Sequence, residues 1–272
     1  MEHEVFKYSW VGSDESYLDH VEVNTQQNIV IGHFGGSTAA GADKNEDGAF
    51  VLNGINNSWE FVMLLDAHKT AESAELLINT IDSEADVILS LLSQPVNRAF
   101  IALEEFVLSI FKSEAFLKKC RQVKGETACL ICCRMDNFMW WLSVGDNSVY
   151  LLHPELAARG QYLLNQRNFY EWIGCVNTFD QPVTCYSSGI RELRSGLNRI
   201  VMTTDGLLEN GTRLLEDPNK LYLAFTAEDD LEECVKDSLL QVRQELGRDS
   251  ATVIAWSYYN DRTAAMPSDE PR

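Results

Sequence analysis

Eight apolar runs rich in β-branched and aromatic residues, most of them bounded by turn formers, commit this 272-residue chain to sheets. They are Glu4–Trp10, Asn28–Phe34, Gly48–Leu52, Trp59–Asp66, Thr127–Met135, Phe138–Leu152, Arg199–Asp205 and Ala251–Tyr259. The junction Met135-Asp136-Asn137-Phe138 reads as a hairpin turn, because Asp and Asn tolerate the backbone angles of a tight turn. Phe138–Leu152 is too long for one strand, so Gly145 is expected to mark a bend or bulge.

Two helical patterns lie between the runs. Ala74, Leu77, Ile78, Ile81, Ala85, Ile88 and Leu92 recur at three and four, as do Val96, Phe100, Leu103, Val107, Ile110 and Phe111. Pro95 is expected at the first turn of the second helix, and a third helix is expected from about Glu228 to Leu246, stopped by Gly247. The order lacks regular βαβ alternation and any 20–50-residue repeat, which predicts an α+β fold with mainly antiparallel sheets and helices packed outside. A single domain is expected over 1–260. Within it, 153–194 is less patterned and reads as a flap or surface subdomain anchored by Phe169, Tyr170, Trp172 and Ile173. A disordered tail is expected over 261–272.

Composition narrows the function. Apolar residues make up 45% of the chain, enough for a full core, while 41 acidic against 22 basic residues leave a formal net charge of −19. Nucleic acids and anionic membranes both demand a positive face, so neither is an expected partner. No apolar run approaches the roughly 20 residues that cross a bilayer. The start Met1-Glu2-His3-Glu4 lacks a signal peptide's basic and apolar regions, so the expectation is a cytoplasmic monomer. Four of the seven cysteines (Cys120, Cys129, Cys132, Cys133) crowd one stretch. Cys129 and Cys132 form a CxxC, but on a strand positions three apart face opposite ways, so they read as buried small hydrophobes rather than a zinc or redox pair.

The chemistry lies in the aspartates. Asp66 ends the run Phe61-Val62-Met63-Leu64-Leu65, Asp205 ends Ile200-Val201-Met202-Thr203-Thr204, and Asp249 precedes the run that begins at Ala251. Asp146 sits in Ser143-Val144-Gly145-Asp146-Asn147, and Asp47 in Lys44-Asn45-Glu46-Asp47-Gly48. Any one of these alone is an ordinary turn residue. Five carboxylates, each next to a buried strand, would repel one another at a common rim unless hard divalent cations such as Mg²⁺ or Mn²⁺ sat between them.

The ordered set Asn45-Glu46-Asp47-Gly48, Leu65-Asp66-Ala67-His68, Gly125-Glu126-Thr127-Ala128, Val144-Gly145-Asp146-Asn147, Thr204-Asp205-Gly206-Leu207 and Asp249-Ser250-Ala251-Thr252-Val253-Ile254 resembles the motif series of the type 2C metal-dependent serine/threonine protein phosphatases. It covers roughly residues 30–256. The resemblance implies a β-sandwich of two antiparallel sheets flanked by helical layers, with a cleft for two Mn²⁺ or Mg²⁺ ions at one edge. Asp66 would bridge the ions, the Ala67 carbonyl would bind one, and Asp205 and Asp249 would hold the other. Glu46 and Asp47 would act largely through metal-bound waters, and Asp146 with Asp205 would match a weaker third-metal site. The implied reaction is hydrolysis of phosphoserine or phosphothreonine in a phosphoprotein by a hydroxide shared between the ions, which also offset phosphoryl charge. His68 would protonate the leaving alkoxide. Without the motif His68 would read as a structural or surface histidine.

Three departures from that pattern stand out. Ala67 replaces a usual glycine, which is tolerable where φ stays below zero. No arginine precedes the Glu-Asp pair to grip phosphate; Lys44 is the candidate substitute, a point charge without the bidentate fork. Lys69-Thr70 replace glycines after the histidine, and Lys69 is a second candidate to face the phosphate. A non-catalytic phosphatase-like binding module and a small-molecule phosphate hydrolase are the competing expectations.

Overall fold

The computed structural model describes residues 5–54 and 58–268. Numbering strands along the chain, one sheet runs β1 (Phe6–Val11), β4 (Gly48–Asn53), β5 (Trp59–His68), β6 (Glu126–Met135), β7 (Phe138–Val144), β10 (Ser187–Glu192), with the short β9 (Ile173–Gly174) paired to β6. The other runs β2 (Val21–Gln26), β3 (Ile29–Phe34), β12 (Ala251–Asn260), β11 (Gly196–Thr203), β8 (Ser148–Leu152). Every pairing is antiparallel. Helices α1 (Glu72–Ser83), α2 (Ala85–Leu92), α3 (Val96–Phe111) and α4 (Glu114–Cys120) bury apolar residues in the core on the outer face of the first sheet. After the single turn α5 (Pro154–Ala157), helices α6 (Asp205–Glu209), α7 (Pro218–Thr226) and α8 (Leu231–Gln244) do the same on the second sheet.

Strand alternation builds the layers. In β5, Phe61, Met63 and Leu65 join the core under α1–α4, while Val62 and Leu64 point between the sheets. In β6, Cys129, Ile131 and Cys133 take the helix side, and Leu130 and Cys132 the inter-sheet side. Cys129 and Cys132 are thus fully buried on opposite faces, as the strand period requires, and burial pushes both thiols up from their ordinary range. The expected α+β sandwich with outer helices is what the chain forms.

Several boundaries differ from the sequence reading. The run Phe138–Leu152 divides at Gly145, whose φ of 92° turns the chain out of the first sheet (β7) and into the second (β8). A Cβ there would stand 2.6 Å from the Ala128 Cβ. The hairpin at 136–137 carries Asp136 at φ 51° between the paired Met135 and Phe138. The first helical pattern breaks at Glu84 into α1 and α2. Pro95 is the N-cap of α3, one position before the expected N1. The third helix starts later than expected because Asp230 caps it, its side chain accepting from the Glu232 N–H at 2.9 Å. Asp205 does not end a strand: β11 stops at Thr203 and Asp205 opens α6. Strands β2 and β10 carry polar or half-exposed residues on both faces, so neither stands out as an apolar run.

In the stretch 153–194, α5, β9 and β10 are joined by irregular chain. Of the tail, residues 261–268 lie along the body: Arg194 donates to the Ala265 carbonyl at 2.9 Å and Ala264 is buried. Glu4 of the first expected strand and residues 269–272 lie outside the described residues.

Candidate functional site

Antiparallel pairing joins the start of one strand to the end of its neighbour, and this gathers the aspartates. Gly48 at the start of β4 pairs with Leu65 near the end of β5, placing Asp47 beside Asp66. Thr203 at the end of β11 pairs with both Val253 near the start of β12 and Ser148 at the start of β8. Asp205, Asp249 and Asp146 therefore flank strand ends at one edge of the second sheet.

A hydroxyl clasp closes this edge across the two sheets. Asp47, wholly buried on the first sheet, accepts from Thr252 Oγ1 at 2.7 Å and Thr204 Oγ1 at 3.3 Å on one oxygen. Its other oxygen accepts from Ser250 Oγ at 2.9 Å. The Thr204 hydroxyl oxygen in turn accepts from the Thr252 N–H at 3.0 Å, and the Asn45 side chain accepts from the Asp47 N–H at 3.0 Å. Gly206 cannot carry a side chain here, because a Cβ would fall 1.7 Å from the Ser250 carbonyl oxygen.

The carboxylates raise one another's pKa. Asp66 is held well above the usual carboxylate range, first by burial and then by Asp205, Asp47, Asp249 and Asp146. Burial, with Asp249 and Asp205 adding to it, raises Asp47 to about 7 even against the Thr252 and Ser250 hydroxyls. Asp205 is raised to about 6 by burial, Asp249, Asp146 and Glu209. Asp249 is raised by burial and Glu209, against the Ser250 N–H, His68 and Arg248. Among the described residues, the buried Asp66 Oδ2 has no hydrogen-bond partner. A buried acceptor without a donor, amid mutually repelling carboxylates, is chemistry that a hard cation satisfies. Among the described residues, no three His, Cys, Asp or Glu groups stand as a ready ligand set. A cation held here would have to draw the acidic groups inward against their repulsion.

The other expected residues surround this centre. Ala67 is buried in β5 opposite Thr127 and is not among the residues with positive φ. His68 is exposed, its Nδ1 3.9 Å from Asp66 Oδ1. Lys44 pairs with Glu46, and its Nζ donates to the Lys69 carbonyl at 2.6 Å. The Lys69 side chain is exposed, and its backbone sits at φ 76°. A cleft of about 380 Å³ opens beside the centre, lined among others by Lys44, Glu46, Asn210, Arg248 and Asp249.

Sequence reasoning missed the supporting polar groups. Thr204, Ser250 and Thr252 lie inside the quoted motifs, but only the fold shows that all three hydroxyls reach Asp47. Arg167, from the unpatterned stretch, donates to the Asp146 carbonyl at 3.0 Å and to Glu209 Oε1 at 2.6 Å. No spacing signal marked it, since its partners lie 21 and 42 residues away.

No protein-family model matches the chain, and no curated protein does. Solved structures match over nearly the full length. A bacterial serine phosphatase superposes with a TM-score of 0.61 at 14% identity, covering 96% of this chain and 100% of the other. The serine/threonine phosphatase Stp1 from Staphylococcus aureus gives 0.59 at 13% identity, covering 95% and 96%. The catalytic domain of the serine/threonine protein phosphatase PstP, in complex with two manganese ions, gives 0.56 at 13% identity, covering 93% and 97%. At such identities the likeness is one of fold: this chain has the fold of these serine/threonine phosphatases.

Proposed function

We propose that this chain, built on a serine/threonine phosphatase fold, is a metal-dependent phosphatase acting on phosphoserine or phosphothreonine in proteins. The observation that carries this reading is the carboxylate group at one edge of the sandwich, in which Asp66 is buried, crowded by Asp47, Asp205 and Asp249, and left with an unpartnered oxygen. Asp66, Asp205 and Asp249 are the residues that would hold two Mn²⁺ or Mg²⁺ ions, joined by the Ala67 carbonyl. Asp47 accepts from hydroxyls on both oxygens and so fixes the Ser250 and Thr252 segment, and with Glu46 it would act toward the ions through bound waters. When bound, the ions supply the positive charge that activates water and offsets charge on the phosphoryl oxygens. His68, exposed at the rim with its Nδ1 3.9 Å from Asp66 Oδ1, would give a proton to the leaving alkoxide. The cleft beside Asp249 gives the substrate chain room to approach.

The test is phosphate release from a phosphoserine peptide and from an aryl phosphate, with and without MnCl₂. Release should require the metal and fall at least about 100-fold in Asp205→Asn, the scale of losing one transition-state charge contact. Release that survives both EDTA and this substitution would sink the reading. One observation weighs against turnover and leaves a non-catalytic phosphatase-like binding module as the alternative: Lys44, the candidate phosphate grip, is engaged by Glu46 and the Lys69 carbonyl. Metal-dependent phosphopeptide binding in calorimetry, without turnover, would select that alternative.

A further inference from the structure

Asp146 and Glu209 are two acidic groups beside Asp205 that are not assigned to the two ions. Glu209 follows Asp205 by one helical turn in α6, and both Asp146 and Glu209 raise the Asp205 carboxyl. Asp146 and Glu209 form a two-carboxylate corner whose oxygens are of the kind that a hard divalent ion takes. Here a side chain of the protein already holds it. The Arg167 Nε donates to the Asp146 carbonyl at 3.0 Å, Nη2 donates to Glu209 Oε1 at 2.6 Å, and Nη2 lies 3.9 Å from Asp146 Oδ2.

The guanidinium is firmly seated. Its side chain is only 15% exposed, and the Phe169 ring covers it with a centroid 5.0 Å away. The Asn168 N–H donates to the Gly145 carbonyl at 2.9 Å, which ties the segment carrying Arg167 to the turn carrying Asp146. A guanidinium stays charged at any working pH and spans two acceptors with a rigid fork, so it offsets part of the charge of such a corner permanently.

We propose that Arg167 is a resident cation that takes the place of an additional divalent ion between Asp146 and Glu209, limiting the centre to two ions. The inference rests on the two-ion reading given above. It makes the ion count a property of the segment between β8 and β9, because Arg167 is the group that bridges Asp146 and Glu209, while Arg213 lies 3.7 Å from the other Glu209 oxygen alone.

The experiment counts ions directly, without reference to turnover. The full chain is titrated with MnCl₂ and bound Mn²⁺ is counted by native mass spectrometry, with electron paramagnetic resonance of free Mn²⁺ as a second count. Wild type should hold two ions, Arg167→Ala and Arg167→Gln three, Arg167→Lys two, and the double variant Arg167→Ala/Asp146→Asn two again. The glutamine variant, which keeps most of the side-chain volume, decides the matter if the alanine variant does not fold. Wild type at three, or both neutral variants at two, overturns the inference and leaves the two-ion reading standing. Wild type holding no Mn²⁺ overturns that reading and this inference together.

Discussion

Asp47 and Asp66 are both aspartates buried at the same rim, yet their surroundings differ. Asp47 spends both oxygens on hydroxyls, whereas Asp66 keeps Oδ2 without a donor. The folded-state pKa values of about 7 for Asp47 and about 6 for Asp205 lie above the ordinary 3.8, so the folded chain binds more protons than the unfolded one in that range. Their stability contribution is full below about pH 4 and is lost as pH rises through 6 to 7. His33, buried and lowered to about 3, works in the opposite sense, but its effect is complete once pH passes its ordinary 6.5. Between pH 6.5 and 8 the carboxylates therefore dominate. Thermal melts in EDTA should show a lower Tm at pH 8 than at 6.5, and MnCl₂ at pH 8 should restore it; a Tm in EDTA that climbs over this interval contradicts the account. Lys69 offers a second residue-level test. Its left-handed backbone (φ 76°) is disfavoured for a side chain, so Lys69→Gly should stabilise the fold by about 0.5–1 kcal/mol, read from the urea midpoint.

Among the elements, the β7–β8 connection does most to assemble the site. The chain leaves the first sheet at Val144, turns at Gly145, presents Asp146 and enters the second sheet at Ser148. A single residue with φ 92° and no room for a Cβ makes that switch possible. Gly145→Ala should cost about 1–3 kcal/mol of stability, measured by urea denaturation. Unchanged stability would mean that the turn relaxes freely and does not fix Asp146. The apolar runs and helical periodicities were readable in the sequence because they bury one face or both. Strands β2 and β10 were not, since half-exposed edge strands need no apolar pattern. The split of one run between two sheets was visible only as a glycine.

In the whole molecule, the two ends of the sandwich handle buried charge in opposite ways. Six residues before Asp66 on β5, about 20 Å along the strand, Glu60 is fully buried but gripped by Arg134 at 2.6 and 2.7 Å, and it accepts from Asn28 at 2.9 Å. Arg134 stacks on Tyr258 of the other sheet at 4.4 Å, so that end is neutralised from within. Arg134→Met should cost about 3–5 kcal/mol, because it strands a buried carboxylate; a loss under 1 kcal/mol in urea denaturation would show that Glu60 does not depend on it. At the opposite end Asp47, Asp66, Asp205 and Asp249 meet, among the described residues no arginine pairs with Asp66, and Arg167 serves the Asp146–Glu209 corner. Residue type and order alone set the strongly apolar strands, the helices α1, α2, α3 and α8, that the sheets would be mainly antiparallel, and which aspartates stood next to strands, because these follow from side-chain period and local turn chemistry. Only the tertiary structure decided that Asp47 is enclosed by hydroxyls from residues 157 to 205 positions away, that Asp66 keeps an unsatisfied oxygen, and that Arg167 reaches Asp146 and Glu209. Those facts depend on distances between segments remote in sequence, which register and sheet packing fix and no local pattern encodes.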